Sequence, residues 1–197
     1  MTHWLEVEVK AKILHTGELR KRIQKIAKLK KKESRGDDYF ALQKKGYPKK
    51  SFRIRNDGKK LVVNFKKHLN NLYKDGIVVK QEFEFQLSDT NHLDNFLALL
   101  KDFGFREWVK KRKRTEAYLY NKDKRVVIEI NTVQHVGTYL EIEYLAKESE
   151  VKKAQGKIKD VMCELGIPKD QIDNVGYTRR LYDLGVKDKK YFIGKKK

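Results

Sequence analysis

The chain has 197 residues, 39% hydrophobic and 38% charged, and its 47 lysines and arginines against 27 acids give a net charge of +20. That length suits one domain with a real core, and the positive surplus calls for anionic partners: nucleic acid, phosphate metabolites or an anionic membrane surface. One cysteine, Cys163, excludes an internal disulfide, and no apolar run reaches membrane-spanning length.

Strand-like segments dominate. In chain order they are His3–Ile13, Asp38–Leu42, Ser51–Arg55, Lys60–Lys66, Val78–Leu87, Trp108–Tyr120, Arg125–Asn131 and Thr138–Leu145. Each shows period-two alternation or enrichment in β-branched and aromatic residues. Turn chemistry separates them at Asn56-Asp57-Gly58, Lys74-Asp75-Gly76 and Asn121-Lys122-Asp123. Three amphipathic helices interrupt the strands. The first is capped by Thr16 and carries Leu19, Ile23, Ile26 and Leu29. The second is capped by Ser88 or Thr90, carries Leu93, Phe96, Leu97 and Leu100, and stops at Gly104. The third is capped by Ser149, carries Val151, Ala154, Ile158, Val161 and Leu165, and stops at Gly166. Cys163 falls in the third helix and reads as a buried structural thiol.

Charge segregates to one face of the strands. Glu6, Glu8 and Lys10 share a face of the first strand because side chains alternate. Arg53 and Arg55 flank Ile54, and Lys66 follows Asn64. Glu82 and Glu84 flank Phe83, Arg112 and Arg114 flank Lys113, Glu129 and Asn131 flank Ile130, and Glu141 and Glu143 flank Ile142. The opposite face carries Val7, Val9, Phe52, Ile54, Phe65, Phe83, Phe85, Ile128, Ile130, Leu140 and Ile142. A half-buried sheet with its charged face in water explains any one strand. The set resists it: glutamate is disfavoured in strands, yet three of these strands carry Glu-x-Glu, and like charges two residues apart repel. Same-sign pairs on separate strands suggest two counter-ions, a cation for the carboxylates and a polyanion for the bases. The expected fold is α+β: a closed antiparallel eight-stranded β-barrel with the charged face inward and helices packed outside. One domain is expected over residues 1–185, with a basic tail over 186–197.

These residues resemble the CYTH superfamily, the triphosphate tunnel metalloenzymes. Glu6-Val7-Glu8-Val9-Lys10 resembles the family's Glu-x-Glu-x-Lys signature, Asp38-Tyr39-Phe40 its Asp-x-Tyr-Phe segment shortened by one, and Arg53-Ile54-Arg55 its Arg-x-Arg. Phe65-Lys66 resembles its strand-borne lysine, and Glu82-Phe83-Glu84 and Glu141-Ile142-Glu143 its later Glu-x-Glu pairs. The chain departs from the pattern at Asn131, where many members have Asp, and at Lys67, where the family has Gly.

The resemblance implies chemistry on a triphosphate with Mg2+ or Mn2+ as cofactor. Lys10, Arg53, Arg55, Lys66, Arg112 and Arg114 are the implied phosphate contacts, since arginine forks suit phosphate and lysine acts as a point charge. Glu6, Glu8, Glu141, Glu143 and Glu129 are the implied metal ligands, because these ions take hard oxygen donors. Glu6, Glu8, Lys10 and Glu143 form the expected catalytic set. A class IV adenylyl cyclase-like activity, ATP to cyclic AMP and pyrophosphate, is the first reading. A triphosphatase acting on inorganic triphosphate, thiamine triphosphate or a nucleotide is the alternative. The runs Lys28–Lys32, Lys44–Lys50 and Lys110–Arg114 motivate a third reading, a basic RNA-binding module, against which stands a plain solvated lysine surface. A cytoplasmic protein is expected, with no membrane partner; the oligomeric state is open, a dimer included.

Overall fold

The computed structural model describes residues 4–42, 46–56 and 60–186. His3, Lys44 and Lys45, the Asp57-Gly58 turn and all of the expected basic tail from residue 187 lie outside the described residues.

Eight strands are present: β1 (Leu5–Lys12), β2 (Ala27–Leu42), β3 (Phe52–Asn56), β4 (Leu61–His68), β5 (Val78–Leu87), β6 (Phe105–Tyr120), β7 (Val126–Val133) and β8 (Gly137–Ala146). They close into a barrel in the order β1-β5-β4-β3-β2-β6-β7-β8. Outside it pack α1 (Thr16–Ile26), α2 (Thr90–Asp102), α3 (Val151–Glu164) and α4 (Tyr177–Asp183). No helix among the described residues is long and apolar enough to cross a membrane. By its internal contacts the chain divides into two compact units. One comprises the residues up to Glu33, Lys67–Glu82 and Arg114–Val175; the other comprises Ser34–Lys66, Phe83–Lys113 and the residues from Gly176.

In the first unit, the apolar positions of β1 (Leu5, Val7, Val9 and Ala11) join Ile128 and Ile130 of β7 and Ile142 of β8 in one core. The stripes of α1 and α3 cover that core through Leu19, Ile23, Ala154, Ile158 and Val161. Each fully buried aliphatic side chain stabilises by roughly 1.5–3 kcal/mol. That exceeds the strand-propensity penalty of glutamate, on a scale spanning about 1 kcal/mol, so the apolar face holds the Glu-x-Glu segments extended. The Lys74-Asp75-Gly76 turn forms as expected, with Asp75 and Gly76 both at positive φ. A Cβ on Gly76 would meet Ile172 at 2.9 Å, so glycine is required there twice over. In the second unit, Phe40, Ile54 and Val63 pack with Leu93 and Leu100 of α2, and Phe40 stacks on Phe52 at 5.6 Å.

Several local expectations are corrected. α1 ends at Ile26, and Leu29 lies exposed on β2, which begins eleven residues before the expected Asp38. Its lysines are exposed on both faces, so no alternation marks this half of the strand. The cap of α2 is Asp89, whose carboxylate accepts from the His92 amide, not Ser88 or Thr90. Ser149 sits in a single 3-10 turn, Glu148–Glu150, that precedes α3. Cys163 is exposed rather than buried, because helical spacing turns it away from Met162 and Val161. Phe83 and Phe85 are exposed rather than core residues; they pack at the surface against Phe65 and Phe96, at 6.1 and 6.0 Å. The fourth helix, α4, had no counterpart in the sequence pattern.

Candidate active site

The polar face of β1 is not in bulk solvent. Glu6 is 3% exposed and Lys10 6%, and Asn131 on β7 is fully buried. Since the other face of these strands carries the core under α1 and α3, both faces are covered.

Pairing brings the acids together. On β1 and β8, Glu8 stands directly opposite Glu143 and Lys10 opposite Glu141; on β7 and β8, Glu129 stands opposite Glu141. Directly opposed like charges are destabilising in a sheet. At about 4 Å and an effective dielectric of 20, two such charges repel by about 4 kcal/mol, so each pair needs a compensating partner. The two pairs find different ones.

Glu6, Glu8 and Glu143 place one carboxylate oxygen each within 4.8 Å of one another, a spacing that fits a single divalent ion. In this structure the Lys80 ammonium contacts Glu8, supplying positive charge where the carboxylates converge. Glu129 and Glu141 are expected metal ligands that the structure gives another partner. The Asn131 amide nitrogen donates to Glu129 at 3.0 Å and to Glu141 at 2.7 Å, and its oxygen accepts from the Thr115 hydroxyl at 2.7 Å. Lys10 donates to the Val175 carbonyl and lies over the Tyr139 ring. Burial lowers the pKa of its ammonium, against the raising influence of Glu141, Asp173 and Glu8.

The bases gather in the second unit. Arg55 grips Asp37 through Nε at 2.7 Å, Arg53 reaches the same carboxylate at 3.3 Å and Lys111 at 3.0 Å. Three positive side chains thus converge on the Asp37 carboxylate. Burial raises the Asp37 pKa, but Lys111, Arg53 and Arg55 outweigh it and hold the carboxyl well below its usual range. Lys111 also donates to the Tyr39 hydroxyl at 3.0 Å. Burial pushes the Tyr39 phenol up, and Lys111 and Arg53 bring it below its ordinary value. Tyr39 and Arg53 are register partners, and Arg53 faces Asn64, whose strand carries Lys66 two residues on. Lys66 is half-buried on that face.

Arg112 and Arg114 are placed differently from Lys111: both are exposed. The adjacent aspartates set this register, since Asp37 meets Lys111 and Asp38 meets Lys110 at 3.0 Å. Alternation then turns Arg112 away from Asp37. Sequence reasoning missed Lys111 because every residue from Lys110 to Arg114 is basic, so the run has no readable face. It missed Asp37 because the motif reading began at Asp38, although Asp37 and Tyr39 share a strand face. An aromatic group adjoins this cluster. Tyr39 lies 6.4 Å from Trp108, and Trp108 and Tyr182 each pack on Tyr47, at 5.6 Å.

The family model for the CYTH domain matches residues 5–177. The chain belongs to the CYTH family. Solved structures agree in fold. The PH1012 protein of Pyrococcus horikoshii OT3 is 26% identical, with a TM-score of 0.71 over 88% of this chain and 97% of its own. The PH1819 protein of the same organism is 24% identical, with a TM-score of 0.73 over 91% and 99%. HpAC1 from Hippeastrum, an adenylyl cyclase candidate with a dominant triphosphatase activity, is 14% identical, with a TM-score of 0.60 over 91% and 96%. No curated protein matches the sequence. The CYTH assignment accounts for the ordered set of Glu-x-Glu and Arg-x-Arg segments along nearly the whole chain.

Proposed function

We propose that this CYTH protein is a metal-dependent enzyme that cleaves a phosphoanhydride bond of a triphosphate. The observation that carries the reading is the carboxylate trio Glu6, Glu8 and Glu143, three hard oxygen donors within the span of one divalent ion. Glu6 and Glu8 on β1 and Glu143 on β8 would hold Mg2+ or Mn2+. When bound, the ion supplies Lewis-acid stabilisation of the charge that develops on the phosphate oxygens. Lys10 in the first unit, and Arg53, Arg55, Lys66 and Lys111 in the second, are the side chains assigned to phosphate in this reading. The convergence of two arginines and a lysine on Asp37 places cationic donors of the kind that bind phosphate oxygens close together. Tyr39, through its hydroxyl, keeps the Lys111 ammonium oriented.

ATP cyclisation to cyclic AMP and pyrophosphate is the first product reading. It is favoured by the aromatic group of Tyr39, Trp108, Tyr47 and Tyr182, which suits a flat base better than it suits inorganic triphosphate. Hydrolysis is the second, favoured by the fold likeness to HpAC1 with its dominant triphosphatase activity. Incubation with ATP or inorganic triphosphate and Mn2+, followed by chromatography, separates them. Cyclic AMP with pyrophosphate supports cyclisation. ADP with phosphate, or phosphate from inorganic triphosphate, supports hydrolysis and overturns cyclisation. No turnover of either substrate overturns the enzyme reading.

A further inference from the structure

Eight of the thirteen residues from Arg20 to Lys32 are basic and none is acidic. The segment runs from α1 into the first half of β2 without a break. Ala27 is buried, but each residue from Lys28 to Lys32 is exposed, so this stretch of strand presents lysine on both faces. Lys28, Lys30 and Lys32 line one face in a row about 13 Å long, at the usual strand rise. Lys21 and Lys25 are exposed on α1. Arg20 is engaged by Glu116 at 2.8 Å and Lys31 by Glu33 at 3.1 Å, and Lys32 acts electrostatically on Glu116, whereas Lys21, Lys25, Lys28 and Lys30 form no ion pair among the described residues.

A buried aspartate organises the bases around Asp37; nothing comparable organises these. Their separation along a strand also exceeds what one small anion can bridge, so the complementary partner is a chain of phosphates. No aromatic residue occurs between Thr16 and Arg35, so there is no platform on which unpaired bases would stack. With Leu29 as the sole large apolar side chain exposed from β2 there, the segment also lacks the apolar face of a membrane-inserting element.

We propose that α1 and the first half of β2 form a docking surface for the backbone of a nucleic-acid duplex, independent of base sequence. Such binding rests on counterion release, so affinity falls with salt by about 0.9 log units per log unit of salt for each phosphate neutralised. The test is fluorescence anisotropy of the full chain with a labelled 20-base-pair RNA duplex, between about 50 and 200 mM KCl. The wild type should bind with a steep salt slope. The exposed triple variant Lys28→Glu, Lys30→Glu, Lys32→Glu should bind about tenfold more weakly or worse and lose roughly 3 units of slope. Lys21→Gln with Lys25→Gln, a milder change that leaves β2 untouched, should cost about threefold. Lys152→Glu with Lys153→Glu, on the exposed side of α3, should change binding less than about twofold. The proposal is overturned if the wild type does not bind at low salt, if the β2 triple and the α1 double variants both bind like wild type, or if the α3 variant loses as much as the β2 variant.

Discussion

The side-chain nitrogen of Asn131 donates to the carboxylate of Glu141 at 2.7 Å and to that of Glu129 at 3.0 Å. One neutral amide thus links two carboxylates that strand register sets directly opposite each other. The Thr115 hydroxyl, donating to the Asn131 oxygen, fixes which end of the amide faces the acids. The glutamates thus fall into two groups: Glu6, Glu8 and Glu143 bring carboxylate oxygens within 4.8 Å of one another, and Glu129 and Glu141 share the Asn131 amide.

Asn131→Asp should therefore destabilise the apoprotein by about 2–3 kcal/mol, because a third carboxylate replaces two donors in a buried site. Denaturant unfolding measures it. Mn2+ should restore more stability to the variant than to the wild type, since a cation would then do what the amide does.

Glu143→Gln should lower Mn2+ affinity by at least about tenfold by calorimetry, with the fold intact by circular dichroism. Triphosphate turnover should fall with it. Glu129→Gln should leave Mn2+ affinity within about threefold, because Glu129 is bonded to Asn131 instead.

Asp37→Asn removes the carboxylate that Arg53, Arg55 and Lys111 share. Uncompensated buried charge costs about 3–5 kcal/mol, which urea unfolding at neutral pH should register. The Asp37 carboxyl is held well below its ordinary 3.8, so its contribution is complete above that value and is lost as pH falls towards the depressed value. The gap between wild type and variant should accordingly stay constant from pH 8 to about 5 and close only in strong acid. A triphosphate should raise the melting temperature of the variant more than that of the wild type, by replacing the missing anion.

Tyr182→Ala should loosen α4. Tyr182 packs edge-on against Tyr47 at 5.6 Å and against Trp108 at 6.5 Å, and Tyr47 meets the Thr178 hydroxyl at 3.0 Å. A loss of about 1 kcal/mol in stability is expected, with faster amide exchange confined to Tyr177–Asp183.

Strand alternation already set the acids of β1 and β8 on one face and the core residues on the other, because a period of two is a local property of the extended chain. Eight strands with turn residues between them were enough to point to a closed barrel. What only the tertiary structure decided was how the charged residues of different strands pair. Register put Glu8 against Glu143, and set Glu141 within hydrogen-bonding reach of Asn131. It chose Lys111 over Arg112 within a run where every residue is basic. It also turned Lys28–Lys32 into a strand exposed on both faces, where no alternation exists to be read. Which face a residue occupies follows from its neighbours along the chain. Which charge it meets depends on strands that are far apart in sequence.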